Sequence, residues 1–367
     1  MVYSRRVRVA GGQAVLSPSD LVSFAACRHL LDLERAAALK LVPKPVFADP
    51  AFEVLLQRGR DHEERYLAEL EAATSADAGQ TEAGTRTVTR ITFDPALGLA
   101  GVEAAARETE LAMKRGAAVI HQATFLQSYE NTRWRGHADF LIRVDEPSGL
   151  GAWSYEPSDA KLARAAKVGA ILQLCAYAEM VARVQDRLPE HIRLILGGPG
   201  HPEERLRLSD YHAYYRWTKA SFLEAMAERE PTYPPTATYP EPVEKCETCN
   251  WSTVCKKRRK DDDHLSLVAG ITRTQRAALT ELGVTTMAAL AKLPIPLQKK
   301  PPRTSPEALV RTREQARLQV QSVAAKKIVY ELLPELYAVR LPRFRGHLVY
   351  AASASSRKSA SASFGVL

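Results

Sequence analysis

No stretch of the 367-residue chain comes near the roughly 18 consecutive apolar residues that a membrane-crossing helix needs. A membrane-embedded role is therefore not expected. Residues 1–14 carry basic side chains but no apolar core of signal-peptide length, so a cytoplasmic location is the expectation. Cysteine is scarce, with five residues in all, which in a cytosolic chain argues against a disulfide framework. No Gly-x4-Gly-Lys-Ser/Thr loop occurs, so the chain carries no phosphate-cradling NTPase signature and any helicase must be a partner. What the chain does have is an ordinary globular balance, 46% apolar and 25% charged. Its net charge is +9, and much of the excess follows residue 255, in the run Lys256, Lys257, Arg258, Arg259, Lys260 and in Lys299, Lys300 and Arg303. A basic surface attracts polyanions through charge and counterion release, which makes nucleic acid a natural partner.

Patterning divides the chain. A helix is expected at about 21–39, capped by Ser19 or Asp20, with Cys27 on it. Pro43 and Pro45 break it. A second helix is expected at about 50–73, where Phe52, Leu55, Leu56, Tyr66, Leu67 and Leu70 form an apolar stripe and His62 and Glu63 sit mid-helix. Residues 74–86 read as a loop and 103–115 as a helix. The period then shifts toward two, with strands expected at 117–126, 133–144, 152–157, 191–197 and 205–208, and helices at about 163–185 and 210–228. Such alternation implies an α/β fold, a mixed central sheet flanked by helices. A proline-rich connector at 231–242 leads to the other cysteines. Short helices are expected at 264–293 and one more at about 306–325. The Ala/Ser/Lys tail at 351–367 is too poor in apolar residues to fold. The expected organisation is a domain at 1–260, a small helical region at 261–295, a linker with a helix at 296–350, and the tail.

Two segments carry chemistry. Gly136-His-Ala-Asp139 places an aspartate in an otherwise foldable strand, and Asp159-Ala-Lys161 ends another. Carboxylates converging from adjacent strands suit a hard cation such as Mg²⁺ or Mn²⁺. Residues 159 and 161 share a strand face, which would stand Lys161 beside that cation. Gln173 and Tyr177 lie one helical turn apart. A lone Asp-x-Lys triplet is most often a solvated strand end, and His62, Gln173 and Tyr177 taken singly read as packing residues. Their order along the chain is the stronger signal.

In that order, Arg58-Gly-Arg-Asp-His62-Glu63, Gly136-His-Ala-Asp139, Tyr155-Glu-Pro-Ser-Asp159-Ala-Lys161 and Gln173-Leu-Cys-Ala-Tyr177 resemble the PD-(D/E)xK nuclease superfamily, in its RecB-like branch, over roughly residues 16–258. The resemblance implies a restriction-endonuclease-like core and hydrolysis of DNA phosphodiesters, in repair, recombination or foreign-DNA processing. It implies His62, Asp139 and Asp159 as metal ligands, Glu63 as support, Lys161 as the active-site lysine, and Gln173 and Tyr177 as DNA-contacting buttresses. Glu156 is a rival acid, but it lies five residues before Lys161, outside the expected spacing.

The cysteines divide one plus three: Cys27, then Cys246, Cys249 and Cys255. Four thiolates can hold zinc or an iron–sulfur cluster. The split resembles the iron–sulfur nucleases of the AddB and CRISPR-associated exonuclease type, which implies a [4Fe–4S] cluster in preference to zinc, with a structural role. Cys175 reads as a buried small hydrophobe. Residues 267–290 resemble a helix–hairpin–helix, although Thr272 stands where that motif has a glycine. After about Glu335 the pattern of longer relatives is absent, and a truncation or frame change is expected there. The alternative function is a catalytically inactive, nucleic-acid-binding iron–sulfur module.

Overall fold

The computed structural model describes residues 8–10, 13–46, 50–77, 87–129, 132–227, 230–296 and 304–331. The tail at 351–367 and most of the Pro/Lys-rich linker lie outside them. The chain forms two units, Met1–Ser266 and Leu267–Leu367.

The first unit is α/β, as expected. Its strands are β1 (Arg8–Ala10), β2 (Gln13–Leu16), β3 (Val88–Arg90), β4 (Val119–Tyr129), β5 (Thr132–Val144), β6 (Ser154–Lys161), β7 (His191–Leu196) and β8 (Glu203–Arg207). They form one mixed sheet in the order β1-β2-β5-β6-β7-β8, with β4 on the opposite edge of β5 and β3 beyond it. Its helices are α1 (Pro18–Ala26), α2 (Arg28–Ala38), α3 (Pro50–Asp77), α4 (Gly98–Arg115), α5 (Val168–Gln185), α6 (Ser209–Ala227) and α7 (Ser252–Asp261). Between the parallel strands β6 and β7, α5 makes the crossover that parallel pairing demands.

Each face of the sheet has its own core. On one face α3 lays Tyr66 and Leu67 against Val119, Phe140 and Ile195. On the other, α1, α4, α5 and α6 bury Leu21, Phe24, Met113, Leu172, Met180 and Phe222 against Ile120, Phe125, Trp134, Leu141 and Leu194. At roughly 25 cal/mol per Å² of apolar surface removed from water, these two layers supply the main force holding the sheet between its helices.

The structure departs from the expected boundaries in ways that matter. The helix expected at 21–39 is two helices, broken at Cys27, which is extended (φ −160°, ψ 107°). Helix α1 starts earlier than expected because Ser17 caps it: its hydroxyl donates to Asp20 Oδ2 at 2.6 Å and accepts from the Asp20 N–H. Helix α3 runs on to Asp77, and α5 starts at Val168 rather than near 163. Strand β6 extends past the expected bound at 157 to Lys161, with Asp159 and Lys161 at its end as the motif implies.

The second unit contains α8 (Arg273–Glu281), α9 (Met287–Ala291) and α10 (Pro306–Ala325). Gln319 of α10 ties down the segment before α8, donating to the Leu267 carbonyl at 2.9 Å and accepting from the Ala269 N–H at 2.8 Å. Thr272 forms a capping box with Gln275, whose side chain takes the Thr272 N–H at 2.8 Å. That backbone donor is thus spent inside the protein, which weakens the expected phosphate grip at this turn.

Candidate functional site

The site arises where the sheet forks. One edge of β5 is shared: β2 pairs with Arg133 and Trp134, and β6 pairs with residues 140–144. The described pairing with β6 ends at Phe140–Ser158. Beyond it, β6 remains paired with β7 through Lys161–Leu196. Asp139 and Asp159 are the first residues past the fork, one on each strand. The Asp139 carboxylate replaces the lost ladder by accepting the Ala160 N–H at 2.9 Å. The Lys161 ammonium pairs with Asp159.

Electrostatics mark the same place. Asp159 is fully buried, and neither of its carboxylate oxygens receives an aligned hydrogen bond. Burial pushes its carboxyl up to about 7; Lys161 opposes the shift and Asp139 adds to it. Burial likewise raises Asp139, with Lys161 opposing and Glu63 reinforcing. Two neighbouring acids resisting ionisation suit a divalent cation, whose charge would reverse both penalties.

Two residues absent from the sequence-based site belong to it. Glu63 on α3 pairs with His121 Nε2 at 2.9 Å and accepts from the Gln122 side-chain amide. Gln122 is left-handed (φ 56°), a conformation that disfavours non-glycine residues by roughly 1–2 kcal/mol. The β4–β5 ladder pairs His121 with Phe140 and Ala123 with Ala138, and it skips the Gln122–Asp139 pair between them. The available signal was two consecutive polar residues, His121 and Gln122, inside an alternating strand.

His62 does not join the carboxylates. It is buried on α3, with Nε2 3.3 Å from the Ile195 carbonyl and its ring 4.9 Å from that of His201. Burial lowers its pKa, so the imidazole is held neutral. The expectation of His62 as a metal ligand is not met by a contact with either aspartate here: its hydrogen-bond partner is the Ile195 carbonyl of β7. Gln173 donates to the Tyr177 hydroxyl at 2.8 Å, and the Tyr177 ring lies 3.2 Å from where a Cβ on Gly136 would stand. The absent side chain at 136 is what lets α5 press against β5 just before Asp139. Glu156, the rival acid, is buried beneath Arg193 and Arg205, each within 2.6 Å. Burial alone would raise its pKa, but the two guanidinium groups outweigh it and the net shift is downward. It is locked in an ion network.

The cysteines meet elsewhere in the same unit. Cys27, Cys246, Cys249 and Cys255 line one cavity together with Leu30, Leu33 and Trp251. The break between α1 and α2 is what brings Cys27 there. Tight anchors join the two distant segments: Trp251 Nε1 donates to Glu34 at 2.9 Å, and Asn250 donates to the Pro45 carbonyl at 2.9 Å. Burial raises the Cys27 thiol, and Cys246 and Cys249 raise it further. Burial pushes Cys255 up to about 12, with Cys249 reinforcing. The four thiols share this pocket, whose lining also includes His29, Lys245 and Arg259. Among the described residues, no group of three or more His, Cys, Asp or Glu side chains is arranged to hold a single metal ion.

Together these features define a mixed α/β protein with a carboxylate–lysine site at a sheet fork and a separate four-thiol pocket. Among the described residues, no helix is long and apolar enough to cross a membrane. No family model matches the chain, and no curated protein matches it. Among solved structures, one titled "Crystal structure of SSO0001" is similar over 51% of this chain and 94% of its own, at 15% identity and a TM-score of 0.25. A likeness that slight bears on neither fold nor function.

Proposed function

We propose that this protein is a cytoplasmic, metal-dependent nuclease of the PD-(D/E)xK type that hydrolyses DNA in repair, recombination or foreign-DNA processing. The observation that carries the reading is the fork: Asp139 and Asp159 converge where β6 leaves β5, with Lys161 on the same strand beside them. Asp139 and Asp159 are the residues that would hold Mg²⁺ or Mn²⁺, with Glu63 behind Asp139. Such a cation, when bound, polarises a phosphoryl oxygen and acidifies a water.

The chain's own residues supply the rest. Lys161 orients the attacking water and offers positive charge to the non-bridging oxygens as the phosphorus gains its fifth oxygen. Asp139 fixes the end of β6 through the Ala160 N–H and so sets where Lys161 stands. The Gln173–Tyr177 pair stiffens α5 against Gly136, holding the strand that carries Asp139. Of the run at 256–260, Lys256, Lys257, Arg258 and Lys260 are exposed and would draw the polyanion in, while Arg259 is buried against the Pro240 carbonyl.

The second part of the reading is a [4Fe–4S] cluster on Cys27, Cys246, Cys249 and Cys255. Their shared cavity supports it, and four thiolates suit a cubane as well as zinc. Binding there would clasp the α1–α2 break to the segment before α7, so its binding energy would be folding energy.

The test is cleavage of labelled single- and double-stranded DNA with Mg²⁺ or Mn²⁺. Metal-dependent product from the wild type, absent in Asp159→Ala and Lys161→Ala, supports the enzyme. Salt-sensitive binding without cutting in either metal overturns it in favour of a binding module.

A further inference from the structure

The β4–β5 pair changes faces at one point. Along β4, Val119 packs in the α3-side core, but Ala123 and Phe125 pack in the opposite one. Strict alternation would place all three on the same face. Along β5, Trp134 and Ala138 lie in the α1/α5-side core while Phe140 lies under α3. Both strands therefore turn over between the same two rungs, Ala123–Ala138 and His121–Phe140. The rung between them is the skipped one, Gln122 opposite Asp139, and Gln122 is the residue in the left-handed region. No extra residue is inserted, since the register is the same on both sides of the gap. On β4 the turnover coincides with the left-handed backbone of Gln122.

A left-handed glutamine is uncommon, and glycine or asparagine would adopt that backbone more readily. The side chain at this position gives it a purpose. Its amide donates to Glu63, while His121 takes the same carboxylate at 2.9 Å. The charge of Glu63 in turn acts on Asp139, opposing its ionisation. Strained non-glycine backbone tends to occur at functional sites, where the surrounding structure over-determines it.

We propose that Gln122 is a positioning residue of the carboxylate site: its left-handed backbone turns β4 over on the rung opposite Asp139, and its amide clamps Glu63 beside the site. The inference rests on the nuclease reading and adds to it a residue that acts through two others. It assigns the two parts of Gln122 to two separable tasks. The backbone opens the rung that faces Asp139, and the amide sets the position of Glu63.

Glycine and asparagine separate those tasks. Gln122→Gly keeps the left-handed backbone without strain and deletes the amide. Gln122→Asn keeps both an amide and tolerance for positive φ, with a shorter reach. The direct readout is Mn²⁺ binding to the full chain by isothermal titration calorimetry, with thermal melting as the folding control. We expect Gln122→Gly to melt at or above the wild-type temperature yet bind Mn²⁺ about tenfold more weakly. Gln122→Asn should recover part of that loss. In the cleavage assay, Gln122→Gly should lower kcat about tenfold, leave KM for DNA unchanged, and need more Mn²⁺ for half-activation. Unchanged Mn²⁺ affinity in Gln122→Gly, with wild-type protein binding the ion, would overturn the role of Gln122 alone. A wild type that binds no Mn²⁺ and cuts no DNA would overturn the underlying nuclease reading, and the positioning role with it.

Discussion

Replacing Asp159 with asparagine should make the metal-free protein more stable at pH 8. The reason lies in where its charge sits. Asp159 is fully buried, and its carboxyl is raised from 3.8 to about 7. Between those two values the folded protein holds a proton that the unfolded chain has already released. Stability therefore falls as pH rises through that window, and the loss is complete above about pH 7. Some 3 pH units at about 1.4 kcal/mol each set the penalty at roughly 4 kcal/mol. Asparagine has nearly the same shape and no charge to desolvate. It also gives up the ion pair with Lys161, whose side chain is 31% exposed and can turn to water. The net gain we expect is about 2–4 kcal/mol at pH 8 and close to zero at pH 4. Urea denaturation in EDTA at both pH values measures it. Mn²⁺ at about 1,000 times Kd should then cancel or reverse the difference, because it adds about 4.1 kcal/mol to the wild type alone. An Asp159→Asn protein less stable than wild type at pH 8 without metal would refute the argument that burial dominates this carboxyl.

Other outcomes follow from the packing. Glu156→Gln strips the charge from a carboxylate held by Arg193 and Arg205 and should cost about 2–4 kcal/mol in urea melts, with the remaining folded protein still binding Mn²⁺. Gly197→Ala would put a Cβ 2.3 Å from the Leu162 carbonyl, beside the end of β6, and should cost about 1–3 kcal/mol in thermal melts. Anaerobically purified protein should be brown, with a broad visible band that Cys249→Ser removes along with part of the stability; colourless protein holding stoichiometric zinc would contradict the cluster.

The α/β class was legible because a period near two alternates with helical stripes from about residue 117 onward. Asp139 and Asp159 were legible for a related reason: charge inside a foldable strand is costly and invites explanation. The fork that joins them was not, because it depends on where β6 stops pairing with β5. Strands β1, β2 and β3 have three or four residues each, too few to show periodicity. The break at Cys27 carries no glycine or proline, and an Ala-Ala-Cys-Arg-His run reads as continuous helix. Tertiary packing of Leu30 and Leu33 against Trp251 accompanies it. His62 and Glu63 are adjacent on α3, and the sequence does not say that one bonds the Ile195 carbonyl while the other meets His121 and Gln122. Glu156 was a rival until Arg193 and Arg205, supplied by β7 and β8, were seen to neutralise it.

The most direct measurement is turnover of end-labelled DNA by protein first stripped with EDTA and then given Mn²⁺ in steps. The carboxylate–lysine account predicts no product without the ion, saturable product with it, and at least a hundredfold slower product from Lys161→Ala at every Mn²⁺ concentration. Equal rates for wild type and Lys161→Ala, or product that persists in EDTA, would contradict it.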